Sequence, residues 1–145
     1  MTRRTGLATL CAATVLALAA CGGAANGAAA SHTATATVSE FKIALDTATL
    51  AVGQDTIAIR NGGTITHEFV VARTDLAADA LPVGADGGVD EEATEVTHVD
   101  EVEDIAAGST GSLTVSLPAG HYVVFCNLPG HYKGGMRAAI DVTGG

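Results

Sequence analysis

A chain of 145 residues has room for one domain of ordinary size, and 16 acidic against 7 basic residues give it a formal net charge of −9. So acidic a protein is excluded as a nucleic-acid binder, because that affinity rests on basic groups meeting phosphates. Its charge suits a basic partner or simply keeps it soluble. With no tryptophan, 3 Phe and 2 Tyr, any core must be built mainly from Val, Ile and Leu.

The N-terminus reads as an export signal rather than as structure. Arg3 and Arg4 supply a charged start, and Leu7 to Ala20 is an uncharged apolar run. That run is too short for a transmembrane helix, which needs about 20 apolar residues with suitable flanks. It ends in Leu18-Ala19-Ala20-Cys21, which resembles the bacterial lipobox, where small residues precede a cysteine that is diacylated and becomes the new N-terminus. Residues 1–20 are therefore expected to be a lipoprotein signal peptide. Cys21 is then the lipidation site, holding the protein on the extracytoplasmic face of a bacterial membrane. An ordinary signal peptide with a chance cysteine, or a retained anchor, is the alternative.

Loss of Arg3 and Arg4 from the 7 basic residues would leave five against 16 acidic ones. Cys11 would leave with the signal and Cys21 would carry lipid, so of the 3 cysteines only Cys126 would stay free. No internal disulfide is then possible. A lone thiol in an oxidising compartment is either occupied, for instance by a metal, or buried as an inert small hydrophobe.

From Gly22 to Ser31 the chain is almost all Gly, Ala, Asn and Ser. Residues 21–33 read as a flexible tether of roughly 20 Å reach, and His32 falls within it. The domain is expected over residues 34–145. Short β-type runs follow at Thr35–Val38, Phe41–Leu45, Thr49–Val52, Thr56–Asn61 and Thr64–Ala72, and later at Ser112–Leu117, His121–Cys126 and Arg137–Thr143. Seven or eight short strands between turn signals predict an all-β fold, an antiparallel sandwich. Residues 74–107 interrupt this rhythm. Thr74 or Asp75 is placed to cap a short helix that Pro82 ends, and an acidic run from Asp90 to Asp104 follows. Eleven of the 16 acids lie between Asp75 and Asp104. The excursion is read as a solvated loop, with a functional segment as the alternative.

The chemistry sits near the C-terminus, in His121-Tyr-Val-Val-Phe-Cys126-Asn-Leu-Pro-Gly-His131-Tyr-Lys-Gly-Gly-Met136. An alternating strand delivers Cys126, a Pro129-Gly130 turn presents His131, and Gly134-Gly135 lets the loop close toward Met136. Thiolate, imidazole and thioether on one loop suit copper, whose two oxidation states prefer different ligands. A trigonal His2Cys set with a weak axial Met needs one more histidine. Asn61-Gly-Gly-Thr-Ile-Thr-His67-Glu-Phe-Val-Val offers one at the start of a strand, with Phe69 and Val71 on the same face as His67. His121 and His98 are read as surface residues, the latter beside Glu95 or Asp100. Tyr122 and Phe125 are read as core.

On these two segments the chain resembles the cupredoxin family of plastocyanin and azurin. The likeness is strongest to bacterial plastocyanin-like proteins, and it covers about Ser39 to Val142 apart from the excursion. The resemblance implies a Greek-key β-sandwich holding one type 1 copper ion, with His67, Cys126, His131 and Met136 as ligands. It further implies a protein that carries single electrons between extracytoplasmic redox partners and is not an enzyme. Electrons would pass through the His131 edge, amid Leu128, Pro129 and Ala138, and reduced copper would release His131 at acidic pH. Many relatives have asparagine after the first histidine, where this chain has Glu68. Its amide is expected to point at the Cys126 sulfur and its side chain to bond near Asn127, tuning the site; coordination by Glu68 is the alternative.

A monomer is expected, with basic redox proteins docking on the His131 face or on the acidic segment 86–104. The rival function is copper sequestration or delivery in the cell envelope, against which a buried thiolate argues. A copper enzyme would need an open coordination position or further ligands, and the chain offers neither a second cysteine at the site nor a His-x-His pair.

Overall fold

A computed structural model describes residues 30–144. The signal segment, Cys11, Cys21 and most of the expected tether lie outside these residues. Nine strands and one helical turn follow in order: β1 (Thr33–Ser39), β2 (Lys42–Leu45), β3 (Thr49–Ala51), β4 (Gly53–Asn61), β5 (His67–Arg73), β6 (Thr97–Ile105), β7 (Thr110–Leu117), β8 (Gly120–Phe125), α1 (His131–Gly134) and β9 (Arg137–Thr143). They form two sheets, β2-β1-β4-β7 and β3-β9-β8-β5-β6. The expected all-β Greek-key sandwich is present.

Alternation decides which side chains meet between the sheets. Ala34, Ala36 and Val38 of β1, Ile57 and Ile59 of β4, and Leu113, Val115 and Leu117 of β7 point inward. They pack on Phe69, Val71, Tyr122, Val124, Ile140 and Val142 of the other sheet. Small residues on β1 face larger ones opposite, which lets the layers close to interior density. The sandwich is not purely antiparallel as expected: β1 runs parallel to β4, and β3 parallel to β9. The chain changes sheets between β2 and β3 and again between β3 and β4, so these pairs are joined by crossovers instead of hairpins.

Two boundaries differ from the sequence reading. Ser31 and His32 belong to the fold and not to a tether: Ala51 N–H donates to Ser31 O and Thr56 N–H to His32 O, both at 2.9 Å. Phe41 is not a strand residue. It sits with Glu40 in the two-residue turn between Ser39 and Lys42, at φ +59°.

The excursion is a structural layer, not a solvated loop. Val70, Ala72, Val123 and Phe125 line the outer face of the five-stranded sheet, and Leu81, Val89, Val96 and Tyr132 cover them. β5 and β8 are thus buried on both faces, which explains their unbroken apolar runs where alternation would otherwise be expected. The short helix expected before Pro82 does not form. Thr74 Oγ1 does accept the Leu76 N–H at 3.1 Å, as a cap would, but Tyr132 Oη then claims the backbone, donating to Ala78 O and accepting from Leu81 N–H. The second half of the acidic run is β6, the sheet's edge strand, paired with β5, and Asp90 to Glu95 lie in the turns before it. Its exposed carboxylates discourage further strands from adding to that edge.

Near the start of β4, Asp55 is completely buried. One carboxyl oxygen meets His32 Nδ1 at 3.2 Å and the other has no partner. Burial pushes its pKa above the usual carboxylate value, and the nearby His32 only partly offsets this. The folded state therefore holds the Asp55 proton more tightly than the unfolded chain does. That contribution to stability is fully present below the unfolded carboxyl pKa, 3.8, and is lost as pH rises through the raised folded-state value. Thermal unfolding of wild type and Asp55→Asn across this window should show wild type losing stability relative to the variant as pH rises; parallel profiles would contradict this.

Candidate metal centre

The first donor is aimed by a loop held from both sides. Asn61, completely buried, donates to Ile65 O at 2.8 Å and Ile105 O at 2.7 Å, and accepts the Gly63 N–H at 2.8 Å. From the turn beside Phe41, Glu40 accepts the N–H and Oγ1–H of Thr64 and the Ile65 N–H. These bonds hold its carboxyl well below the usual range, at about 2. The loop delivers His67 to the first position of β5, fully buried, with neither ring nitrogen hydrogen-bonded. Burial, then the proximity of His131, lowers the His67 pKa, with Glu40 opposing; the imidazole is kept neutral with a lone pair available.

The other donors come from the chain between β8 and β9. Cys126 follows directly on β8 and is completely buried. Its N–H donates to Met136 O at 3.1 Å, closing the loop at its base. Within the loop, Gly130 at φ +77° starts the single turn of α1, and the Met136 N–H returns to His131 O at 3.0 Å. Tyr132 is the loop's inward anchor, with its ring on Phe125 and Arg137 lying over it. Met136 is buried with no exposure, whereas His131 is half-exposed.

The three nearest donors converge. One ligand atom each from His67, Cys126 and His131 lies within 4.8 Å of the others. Some point must then lie within about 2.8 Å of all three atoms, close to the ~2.0–2.3 Å of zinc–nitrogen and zinc–thiolate bonds, a fair guide for another first-row metal. His131 turns Nδ1 toward the Cys126 sulfur at 3.3 Å. Burial raises the Cys126 thiol pKa, and the amides of Glu68 and Leu128 oppose that rise. A cation among these atoms would meet the Cys126 sulfur and one nitrogen of each imidazole, giving one of the two unpartnered His67 nitrogens the partner that a buried polar group needs.

The outer contacts follow the sequence reading in part. The Glu68 N–H donates to Cys126 Sγ at 3.3 Å. Burial, then the charges of Glu101 and Glu103, raise the Glu68 carboxyl pKa, and the Asn127 backbone N–H beside it only partly opposes them. The Asn127 side chain is occupied elsewhere. It accepts the Val89 N–H at 2.5 Å and donates to Val89 O and Glu91 Oε1, tying the excursion to the residue after the thiol. His98 meets Glu91 at 2.7 Å, not Glu95 or Asp100, and His121 meets Asp141 at 2.7 Å on the surface. Tyr122 and Phe125 are core, as expected. Leu128 and Ala138, both expected at the electron port, are each half-buried against the main core.

The residues that sequence reasoning missed are Glu40 and Phe41. The Phe41 ring stands edge-on to His131 at 5.9 Å between centroids. Nothing in a Ser-Glu-Phe-Lys stretch marks a turn, and the contact spans two sheets.

The sequence profile described as copper binding proteins of the plastocyanin/azurin family matches residues 30–143. The chain belongs to that family. As a cupredoxin it is a type 1 copper protein and takes one copper ion. The chain is similar to auracyanin-B of Chloroflexus aurantiacus, 47% identical over 38 residues, 26% of this chain and 16% of that protein. The match thus spans less than a fifth of the relative. Among solved structures, dithionite-reduced auracyanin from Roseiflexus castenholzii superimposes with a TM-score of 0.57 at 25% identity, over 79% of this chain and 98% of that one. Rusticyanin from Thiobacillus ferrooxidans shares the fold with a TM-score of 0.50 at 18% identity, over 79% of each chain.

Replacing Asn127 with alanine strands the Val89 N–H. Urea unfolding should show a loss of about 1–3 kcal/mol with an unchanged slope. An unchanged midpoint would mean the excursion is held by its apolar contacts alone.

Proposed function

We propose that this cupredoxin carries single electrons between redox proteins on the extracytoplasmic side of a bacterial membrane. Copper is held by His67, Cys126 and His131, with Met136 as the weak axial ligand, and the protein is a lipid-anchored monomer and not an enzyme. Copper bound there supplies one-electron chemistry by alternating between its cupric and cuprous states.

One observation carries the reading: of the four donor residues only His131 reaches the surface, while His67, Cys126 and Met136 have no exposure. A site closed on three sides leaves no position for a substrate, which disfavours an enzyme. A buried thiolate disfavours a carrier that must give its ion away. The one exposed edge lies in apolar surroundings. Phe41 is 57% and Ile65 47% exposed, Leu128 is half-buried and Pro129 is exposed, so a partner meets apolar surface beside His131, with Glu40 and Lys133 as the charged groups at its margin.

To one side lies charge of a single sign. Ile105 pairs with His67, which brings the acidic end of β6, Glu103 and Asp104, alongside the metal end. That supports a basic partner steered electrostatically and then seated on the apolar rim. Attachment is assigned to lipid on Cys21, from the small residues that precede it, outside the described residues; among the described residues no helix is long and apolar enough to cross a membrane.

Voltammetry of the copper-loaded protein should give a reversible one-electron wave, with copper retained through repeated cycling. Ile65→Glu should leave the potential nearly unchanged and slow exchange with an acidic-surfaced partner, such as a second copy, by about tenfold. Prompt surrender of copper to an acceptor protein, with no reversible wave, would favour delivery instead.

A further inference from the structure

Phe41 occupies a position that its chemistry does not favour. It stands second in a two-residue turn at φ +59°, a left-handed conformation that glycine or asparagine adopts at much lower cost. The residue as a whole is 57% exposed, so burial does not compensate. A strained, exposed aromatic is an outlier that calls for a reason.

The reason lies across the sandwich. The ring meets the His131 imidazole edge-on, 5.9 Å between centroids at 74°. The metal loop is shaped to admit it: a Cβ on Gly134 would collide with Phe41 Cδ1, and one on Gly135 would fall 2.9 Å from Phe41 O. Gly135 is itself at φ +120°, where side chains are strained. Two glycines of the copper loop and one left-handed phenylalanine of the first hairpin thus form a single fitted contact. The adjacent Glu40 binds the loop that aims His67, so the same turn touches both histidine-bearing segments.

We infer that Phe41 is a positioning residue for the copper centre, bracing the His131 imidazole and shielding it from water. It acts through His131 and touches no metal. The inference rests on His131 being a copper ligand and deepens the proposed function, naming the residue that governs its exposed edge. Edge-on packing restricts rotation of the imidazole and blocks one approach to it. The left-handed backbone holds the ring there, where an extended residue would direct it elsewhere.

Two readouts separate this role from a general one in stability. In the apo-protein, diethyl pyrocarbonate should modify His131 several-fold faster in Phe41→Gly than in wild type, with His98 and His121 unchanged as internal references. Thermal unfolding of the same apo variant should be unchanged or higher, because glycine relieves the left-handed backbone. In the copper-loaded protein, Phe41→Gly should release copper to a chelator about tenfold faster, the low end of what lost outer contacts to a metal ligand cost. Phe41→Tyr keeps the ring and should behave as wild type, Gly134→Ala should displace the ring and resemble Phe41→Gly, and Val52→Ala, which alters an exposed apolar residue elsewhere, should change nothing. Equal His131 reactivity and equal copper release in wild type and Phe41→Gly would overturn the inference. The apo-protein arm needs no metal, so it tests the brace even where the copper reading fails.

Discussion

Everything at the working end of this molecule depends on burying the His67 imidazole with no hydrogen-bond partner for either nitrogen. An unsatisfied buried polar group costs about 1–3 kcal/mol, a large fraction of a small domain's net stability. The fold carries that cost by over-determining everything around it. Asn61 uses its whole amide on the loop before His67, and Glu40 fastens the same loop from the other sheet. Opposite them, the Cys126–Met136 backbone bond closes the chain that brings the thiol and His131 to face it. A frame built this way fixes the directions in which its donors point.

The same frame explains the second layer. Donors from β5 and β8 must not shift, yet a sheet exposed on one face would leave Val70, Ala72, Val123 and Phe125 in water. The excursion supplies Leu81, Val89 and Val96 to cover them, and Tyr132 of the metal loop completes that cluster. Asn127 adds a polar tie from the residue after the thiol to Val89 and Glu91. The metal loop is therefore clamped between the main core, through Met136, and the outer cluster, through Tyr132. β6 then ends the sheet with a band of carboxylates, which protects an open edge and sets the sign of charge near the site.

How much of this was legible in the sequence follows from how local each signal is. Cys126, His131 and Met136 lie within one loop, so their spacing alone announced the site, and His67 was found from the strand that starts with it. Strand alternation was readable wherever one face is wet. It failed where both faces are covered, because the excursion that covers β5 and β8 looks from its own composition like a polar loop. The helix expected before Pro82 was lost to Tyr132, more than fifty residues away, and the parallel pairings depend on crossovers that no local pattern records. Glu40 and Phe41 were invisible for the same reason: their importance is a contact between sheets, and Phe41 stands where turn chemistry would place glycine.

The central claim is that one copper ion sits against the Cys126 thiolate between two histidines. The most direct measurement is the visible spectrum of residues 30–145 titrated with cupric ion. An intense thiolate-to-copper band that saturates at one equivalent, and is absent in Cys126→Ser, is the expected result. A protein that stays colourless and binds copper only weakly would contradict the account.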